Sequence, residues 1–122
     1  MRLWQALFAT AAFHNIAIAA SLLAAPTRFA QHIAVTGPGA PFAVSMIAIL
    51  WGAFGVGYAI VATNPQRNHA VVWAGMIGKA GFAAMAALQF AAEIIPYRYF
   101  ALAMADVVLA ALFAVFLWRE RR

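Results

Sequence analysis

The chain contains no cysteine, only three acidic residues and few charges of any kind. The absence of cysteine excludes structural disulfides, iron–sulfur clusters, covalently attached c-type haem and thiol redox chemistry. Charged residues make up 9% of the 122 residues, whereas a typical soluble domain carries about 25%. Hydrophobic residues make up 67% of the chain. Such a composition cannot cover a water-facing surface, so it predicts a protein whose surroundings are the lipid bilayer.

The net charge of +5 does not indicate a nucleic-acid partner. The basic residues are scattered along the chain, whereas a nucleic-acid-binding surface needs them on one face. Positive charge at the ends of spanning segments is instead typical of membrane proteins. We therefore expect lipid as the main partner and no nucleic acid.

Four apolar stretches are long enough to cross a membrane as helices, which requires about 20 residues each. They predict an all-α fold: a polytopic membrane protein whose four transmembrane helices form a bundle, in a single domain over residues 1–122. Pro26 suits a first helical turn and predicts a short interfacial helix over 26–34. The four spanning helices are predicted at residues 3–25, 41–62, 70–92 and 97–118.

The distribution of basic residues predicts the orientation. One side of the predicted membrane has Arg2, Arg67, Arg119, Arg121 and Arg122, and the other has Arg28 and Arg98. Because Lys and Arg favour the cytoplasmic side, both termini are expected in the cytoplasm of a bacterial inner membrane. Trp4, Tyr58 and Trp118 would then lie at the cytoplasmic interface.

Two charged residues interrupt the apolar segments. Lys79 and Asp106 each fall near the middle of a predicted helix, where a lone charge is costly, so we expect them to form an ion pair. Counted from the cytoplasmic helix ends, they share a layer about 15–18 Å deep with His14 and Trp51. This layer predicts a polar midplane pocket. Lys79 would contact an anion, Asp106 would be its counter-charge, His14 would carry a proton, and Trp51 and Tyr58 would form the wall.

Each of these residues also has a plainer interpretation. The Lys79–Asp106 pair could serve only to fix the register between two helices. His14 could donate one hydrogen bond inside a bundle, and since no second histidine lies within the apolar segments, we expect neither a metal nor haem. No nucleophile motif or phosphate loop is present, so no catalytic residue or cofactor is predicted and an enzyme is disfavoured.

Glycines recur in the second and third predicted helices at matched distances from the turn near Gln66. Small residues at equal depth allow two helices to approach closely. The pattern therefore predicts tight packing between these helices. The six glycines are Gly52, Gly55, Gly57, Gly75, Gly78 and Gly81.

The segment WGAFGVGY at residues 51–58, followed by Asn64-Pro65, His69, Gly78-Lys79 and Asp106, resembles small four-helix bacterial membrane proteins, loosely of the DoxX type. The resemblance covers the last three helices. It implies a four-helix membrane fold. Some DoxX-type proteins are accessory subunits in quinone-coupled sulfur oxidation, but no catalytic motif here matches residue by residue, so that chemistry is not transferred to this chain.

Three functions follow from these patterns. The preferred one is binding, or helping to move, a small hydrophobic or anionic, lipid-like molecule at the midplane pocket. The first alternative is a membrane anchor or accessory subunit of a quinone-linked redox complex. The second is a scaffold whose polar layer only fixes the fold. A homo-oligomer and a partner membrane protein both remain open.

Overall fold

The computed structural model describes residues 1–33 and 35–121. Within these residues the chain forms five α-helices and no β-strand. The prediction of an all-α fold is therefore confirmed. A 3₁₀ turn at Pro65–Arg67 connects the third helix to the fourth. The helices are α1 (Arg2–Ala24), α2 (Pro26–His32), α3 (Ala40–Thr63), α4 (His69–Ala91) and α5 (Tyr97–Glu120).

The four long helices, α1, α3, α4 and α5, have 23 or 24 residues and are apolar enough to cross a membrane. At 1.5 Å per residue each is about 35 Å long, which exceeds the roughly 30 Å hydrocarbon core of a bilayer. They match the four predicted spanning helices, with ends that differ by at most two residues. The short helix begins at Pro26 as predicted and ends at His32. Ala34, the last residue of its predicted range, lies outside the described residues.

The chain divides into two compact units. The N-terminal unit is Met1–Pro65, and the C-terminal unit begins at Gln66. The first contains α1, α2 and α3, and the second contains α4 and α5. The single domain expected over residues 1–122 stays a prediction.

In the N-terminal unit, α1 and α3 pack antiparallel. Near one end of the pair, Gln5 Nε2 donates a hydrogen bond to the Thr63 carbonyl at 3.4 Å. Further along α1, Ala19 lies against Gly52 of α3. The start of α1 therefore lies beside the end of α3, and the two helices run in opposite directions. Because α2 separates the two helices in sequence, the chain must turn twice between them.

The short helix α2 folds back onto its own unit. Ala25 leaves the helical conformation, with φ −146° and ψ 62°, and Pro26 then starts α2 at its first position. Gly37 has φ 104°, a left-handed conformation that glycine adopts without steric cost, and it turns the chain into α3. Ala30 is only 2% exposed. It belongs to a buried apolar cluster with Leu22, Ala40, Val44 and Ala48.

The C-terminal unit is an antiparallel hairpin with a tight turn. Glu93, two residues after the end of α4, has a left-handed conformation with φ 60°. The next N–H, that of Ile94, donates to the Gln89 carbonyl at 2.9 Å and so satisfies one of the free carbonyls at the helix end. Phe90 of α4 stacks on Phe100 of α5, with ring centroids 4.6 Å apart. These contacts fix the register in which α5 runs back along α4.

Candidate functional site

A buried ion pair lies at the centre of the C-terminal hairpin. Lys79 Nζ donates a hydrogen bond to Asp106 Oδ1 at 2.8 Å. The residues are 4% and 2% exposed, respectively. The pairing that the sequence predicts is therefore confirmed.

The helices place both residues at mid-length on their packed faces. Lys79 is the eleventh of 23 residues in α4, and Asp106 is the tenth of 24 in α5. Each also fits a repeat of three or four residues along the buried stripe of its helix, which is the spacing of one helical face. The buried stripe of α4 is Val72, Gly75, Lys79, Ala83 and Ala86. The neighbours of Lys79 in this stripe are small, so the long lysine side chain has room to reach α5.

Each of the two charges lowers the free-energy cost of burying the other in an apolar helix. A single Lys or Asp at the centre of a spanning helix costs about 2.5–3.5 kcal/mol on insertion scales. Lys79 is the only lysine and Asp106 the only aspartate in the sequence. The remaining charged residues of the described chain lie in the connections, in α2 or near the ends of the long helices. The pair therefore brings no net charge to the middle of the hairpin.

The other three predicted pocket residues belong to the N-terminal unit. His14 lies at mid-length in α1, and its Nε2 atom is buried. Trp51 is half-buried in α3 and packs against the buried apolar cluster that contains Ala30 of α2. Tyr58 is 1% exposed. A pocket that combines these three with Lys79 and Asp106 stays a prediction.

Tyr58 requires a correction. As a residue of the cytoplasmic interface it would be partly exposed at the level of the lipid headgroups. It is instead one of the largest fully buried side chains. Its ring centroid lies 6.2 Å from that of Phe54 in the same helix. Tyr58 is thus a core residue, since it lies three residues after Gly55 and three before Val61 on the buried stripe of α3.

Asn15 is a polar core residue that the sequence reasoning did not single out. It is 2% exposed, and its Nδ2 donates to the Trp51 carbonyl of α3 at 3.2 Å. A polar side chain in an apolar segment commonly makes an interhelical hydrogen bond. The isolated amide between His14 and Ile16 was the available signal. Asn15 links α1 to α3 at mid-length, as the ion pair links α4 to α5.

The glycine pattern also requires a correction. Gly52 and Gly55 were expected to approach the third spanning helix, but they approach α1. A Cβ at Gly55 would lie 2.7 Å from Ile16 Cγ1 and 3.2 Å from Asn15 Cβ. Within the C-terminal unit, a Cβ at Gly78 or Gly81 would meet no atom within 4 Å, so the packing of α4 against α5 requires no glycine there. Close packing across Gly57 and Gly75 stays a prediction.

No group of three His, Cys, Asp or Glu side chains comes together as metal ligands within residues 1–33 and 35–121. Comparison of the chain with protein-family models, curated proteins and solved structures finds no match. The resemblance to DoxX-type proteins therefore stays a prediction. The candidate site depends on the ion pair alone.

Proposed function

We propose that this is a multi-pass protein of the bacterial inner membrane that binds, or helps to move, a small lipid-like molecule with an anionic group. Lys79 contacts the anion, and Asp106 is the counter-charge of Lys79. The observation that carries the proposal is the 2.8 Å contact between these two buried side chains at mid-length in two spanning-length helices. Ionisable residues at such a depth are costly and commonly mark the path of a ligand or ion.

The chemistry of the pair supports binding of an anion. An ammonium in an apolar interior interacts strongly with any nearby negative charge, because the local dielectric is low. A carboxylate or phosphate that enters beside Lys79 competes with Asp106 for the same ammonium. Because the ammonium has three N–H donors, it can hold the ligand and Asp106 together, and Asp106 remains its partner when the ligand leaves. The aliphatic part of a lipid-like molecule would remain among the apolar side chains that surround the pair.

The test is identification of a molecule that co-purifies with the protein. The protein is extracted in a mild detergent and its bound small molecules are measured by native mass spectrometry. The double variant Lys79→Met/Asp106→Leu should lose the bound species while retaining the fold, because both costly charges are removed together. Its matched control is Ile77→Met/Val108→Leu, at positions two residues away that are 65% and 58% exposed.

The control should retain the bound molecule at the wild-type level. Equal occupancy in the double variant and the wild type would contradict the proposal. A wild-type protein that carries no bound molecule would also contradict it and would favour the scaffold, in which the ion pair only fixes the register of the hairpin.

The proposed orientation, with both termini in the cytoplasm, follows from the excess of arginine at one end of the helices. Because the chain has no cysteine, single cysteines can be introduced and labelled without a background. Thr36 and Gln66 are both exposed and lie in different connections. An impermeant thiol reagent added outside the cell should label Thr36→Cys and spare Gln66→Cys. The opposite labelling pattern would reverse the orientation.

A further inference from the structure

One end of the C-terminal unit is basic. Arg67, Arg119 and Arg121 are exposed there. The antiparallel hairpin brings them to the same level, because α4 begins where α5 ends. The ring centroids of His69 in α4 and Phe116 in α5 are 5.5 Å apart and mark this level. We call this group of three arginines the basic end.

The protein itself does not neutralise the basic end. Within described residues 66–121, the only carboxylate near these arginines is that of Glu120, so two positive charges are in excess. At the opposite end of the hairpin, Arg98 is accompanied by Glu93, and the charges balance. The ion pair at mid-length is neutral. The unit therefore has a positive field at one end only, and an anion at that end would lower its energy.

Trp73 places one of the three arginines. The Arg121 guanidinium carbon lies 5.3 Å from the centroid of the Trp73 ring, which is within the range of a cation–π contact. Trp73 is 39% exposed, and a tryptophan near the end of a spanning helix typically lies at the level of the lipid headgroups. A guanidinium in a cation–π contact can still donate its N–H groups to a phosphate. Arg121 is thus positioned where a phospholipid carries its phosphate.

We infer that the basic end binds the phosphate of an anionic phospholipid, with Arg121 on Trp73 as the main contact and Arg67 and Arg119 as supporting charges. The ligand is a bilayer lipid, because the headgroup level and the apolar helix surface below it accommodate the two parts of such a molecule. This site is independent of the function proposed for Lys79 and Asp106.

Lipid titration of the protein tests the inference. Phosphatidylglycerol, or zwitterionic phosphatidylcholine as a reference, is added to protein in a neutral detergent, and bound lipid is measured by native mass spectrometry. The wild type should prefer phosphatidylglycerol. Arg121→Gln should weaken its binding about fivefold, the contribution of one basic residue at an anionic membrane surface. Trp73→Leu should weaken it in the same direction, because Arg121 then loses its support.

The matched control is Arg98→Gln. Arg98 also lies over an aromatic ring, 5.1 Å from the centroid of Tyr99, but at the balanced end of the hairpin. This variant should bind phosphatidylglycerol as the wild type does. An equal loss in the Arg98 and Arg121 variants, or equal binding of the two lipids by the wild type, would overturn the inference.

A second variant and a competition experiment complete the test. If Arg121→Gln does not fold, Arg119→Gln provides the same test from an exposed position of the basic end. Inorganic phosphate at the lipid concentration should not displace phosphatidylglycerol, since it lacks acyl chains. Displacement by inorganic phosphate would show that the site binds a soluble anion, and it would overturn the inference that the ligand is a lipid.

Discussion

Removing either charge of the Lys79–Asp106 pair should damage the protein far more than removing both. The changes are Lys79→Met and Asp106→Leu, which remove the charge and keep an apolar side chain of comparable length or volume. Each single change leaves its partner buried, at 4% or 2% exposure, without the 2.8 Å contact. The double change leaves no charge at mid-depth in the hairpin.

The expected magnitudes follow from the burial. Removing one partner of a buried pair typically costs 3–5 kcal/mol, whereas replacing both partners with apolar residues is often neutral, so we expect about 1 kcal/mol or less for the double variant. If the two single losses were additive, the double variant would lose about 6–10 kcal/mol. The interaction energy in the double-mutant cycle is therefore expected to be large and favourable.

Unfolding in mixed micelles, with a denaturing detergent as titrant, measures these free energies. The matched controls are Ile77→Met and Val108→Leu on the exposed faces of the same helices, and each should remain within about 0.5 kcal/mol of the wild type. Single variants as stable as the wild type would refute the reasoning. A double variant that loses the sum of the two single losses would show that the side chains act independently.

Three further predictions concern local geometry. Gly55→Ala should cost about 1–3 kcal/mol in the same unfolding assay, because its methyl group crowds α1, whereas Gly78→Ala should be neutral or slightly stabilising; equal losses would refute this contrast. Glu93→Gly should stabilise the hairpin by about 1 kcal/mol by relieving the left-handed residue, and Glu93→Ala, which retains φ 60°, should not. An amine-reactive reagent should modify the N-terminus and spare buried Lys79, while Asp106→Asn should increase modification of Lys79; mass spectrometry of the peptides distinguishes the two amines.

The helix positions could be predicted from the sequence because the apolar segments are long and their ends are marked. Pro26 starts the short helix, α4 ends at Ala91, and Pro96 precedes α5. The ion pair could be predicted for a related reason. Two lone charges at similar depth on helices joined by a short turn have few other ways to lower their cost.

The partners of the glycines could not be predicted in the same way. Counting from a turn gives the depth of a residue along a helix, but it does not give the direction in which that residue faces. Gly55 faces α1, where Ile16 and Asn15 approach it. Tyr58 was misplaced for the same reason. Its aromatic ring with a polar tip suits a headgroup level and a core equally well, and only the packing of α3 decides between them.

The contact between Lys79 and Asp106 has a consequence for how the chain enters the membrane. These residues are 27 positions apart, on either side of the turn at residues 92–96. Inserted alone, α4 would carry an ammonium to the bilayer centre at a cost of about 2.5–3.5 kcal/mol, and α5 would carry a carboxylate at a similar cost. We therefore expect the two segments to leave the translocon together as a preformed hairpin. In a glycosylation-reporter assay, α4 alone should insert poorly, addition of α5 should restore insertion, and α5 with Asp106→Leu should not. Efficient insertion of α4 alone would show that it enters the bilayer as an independent segment.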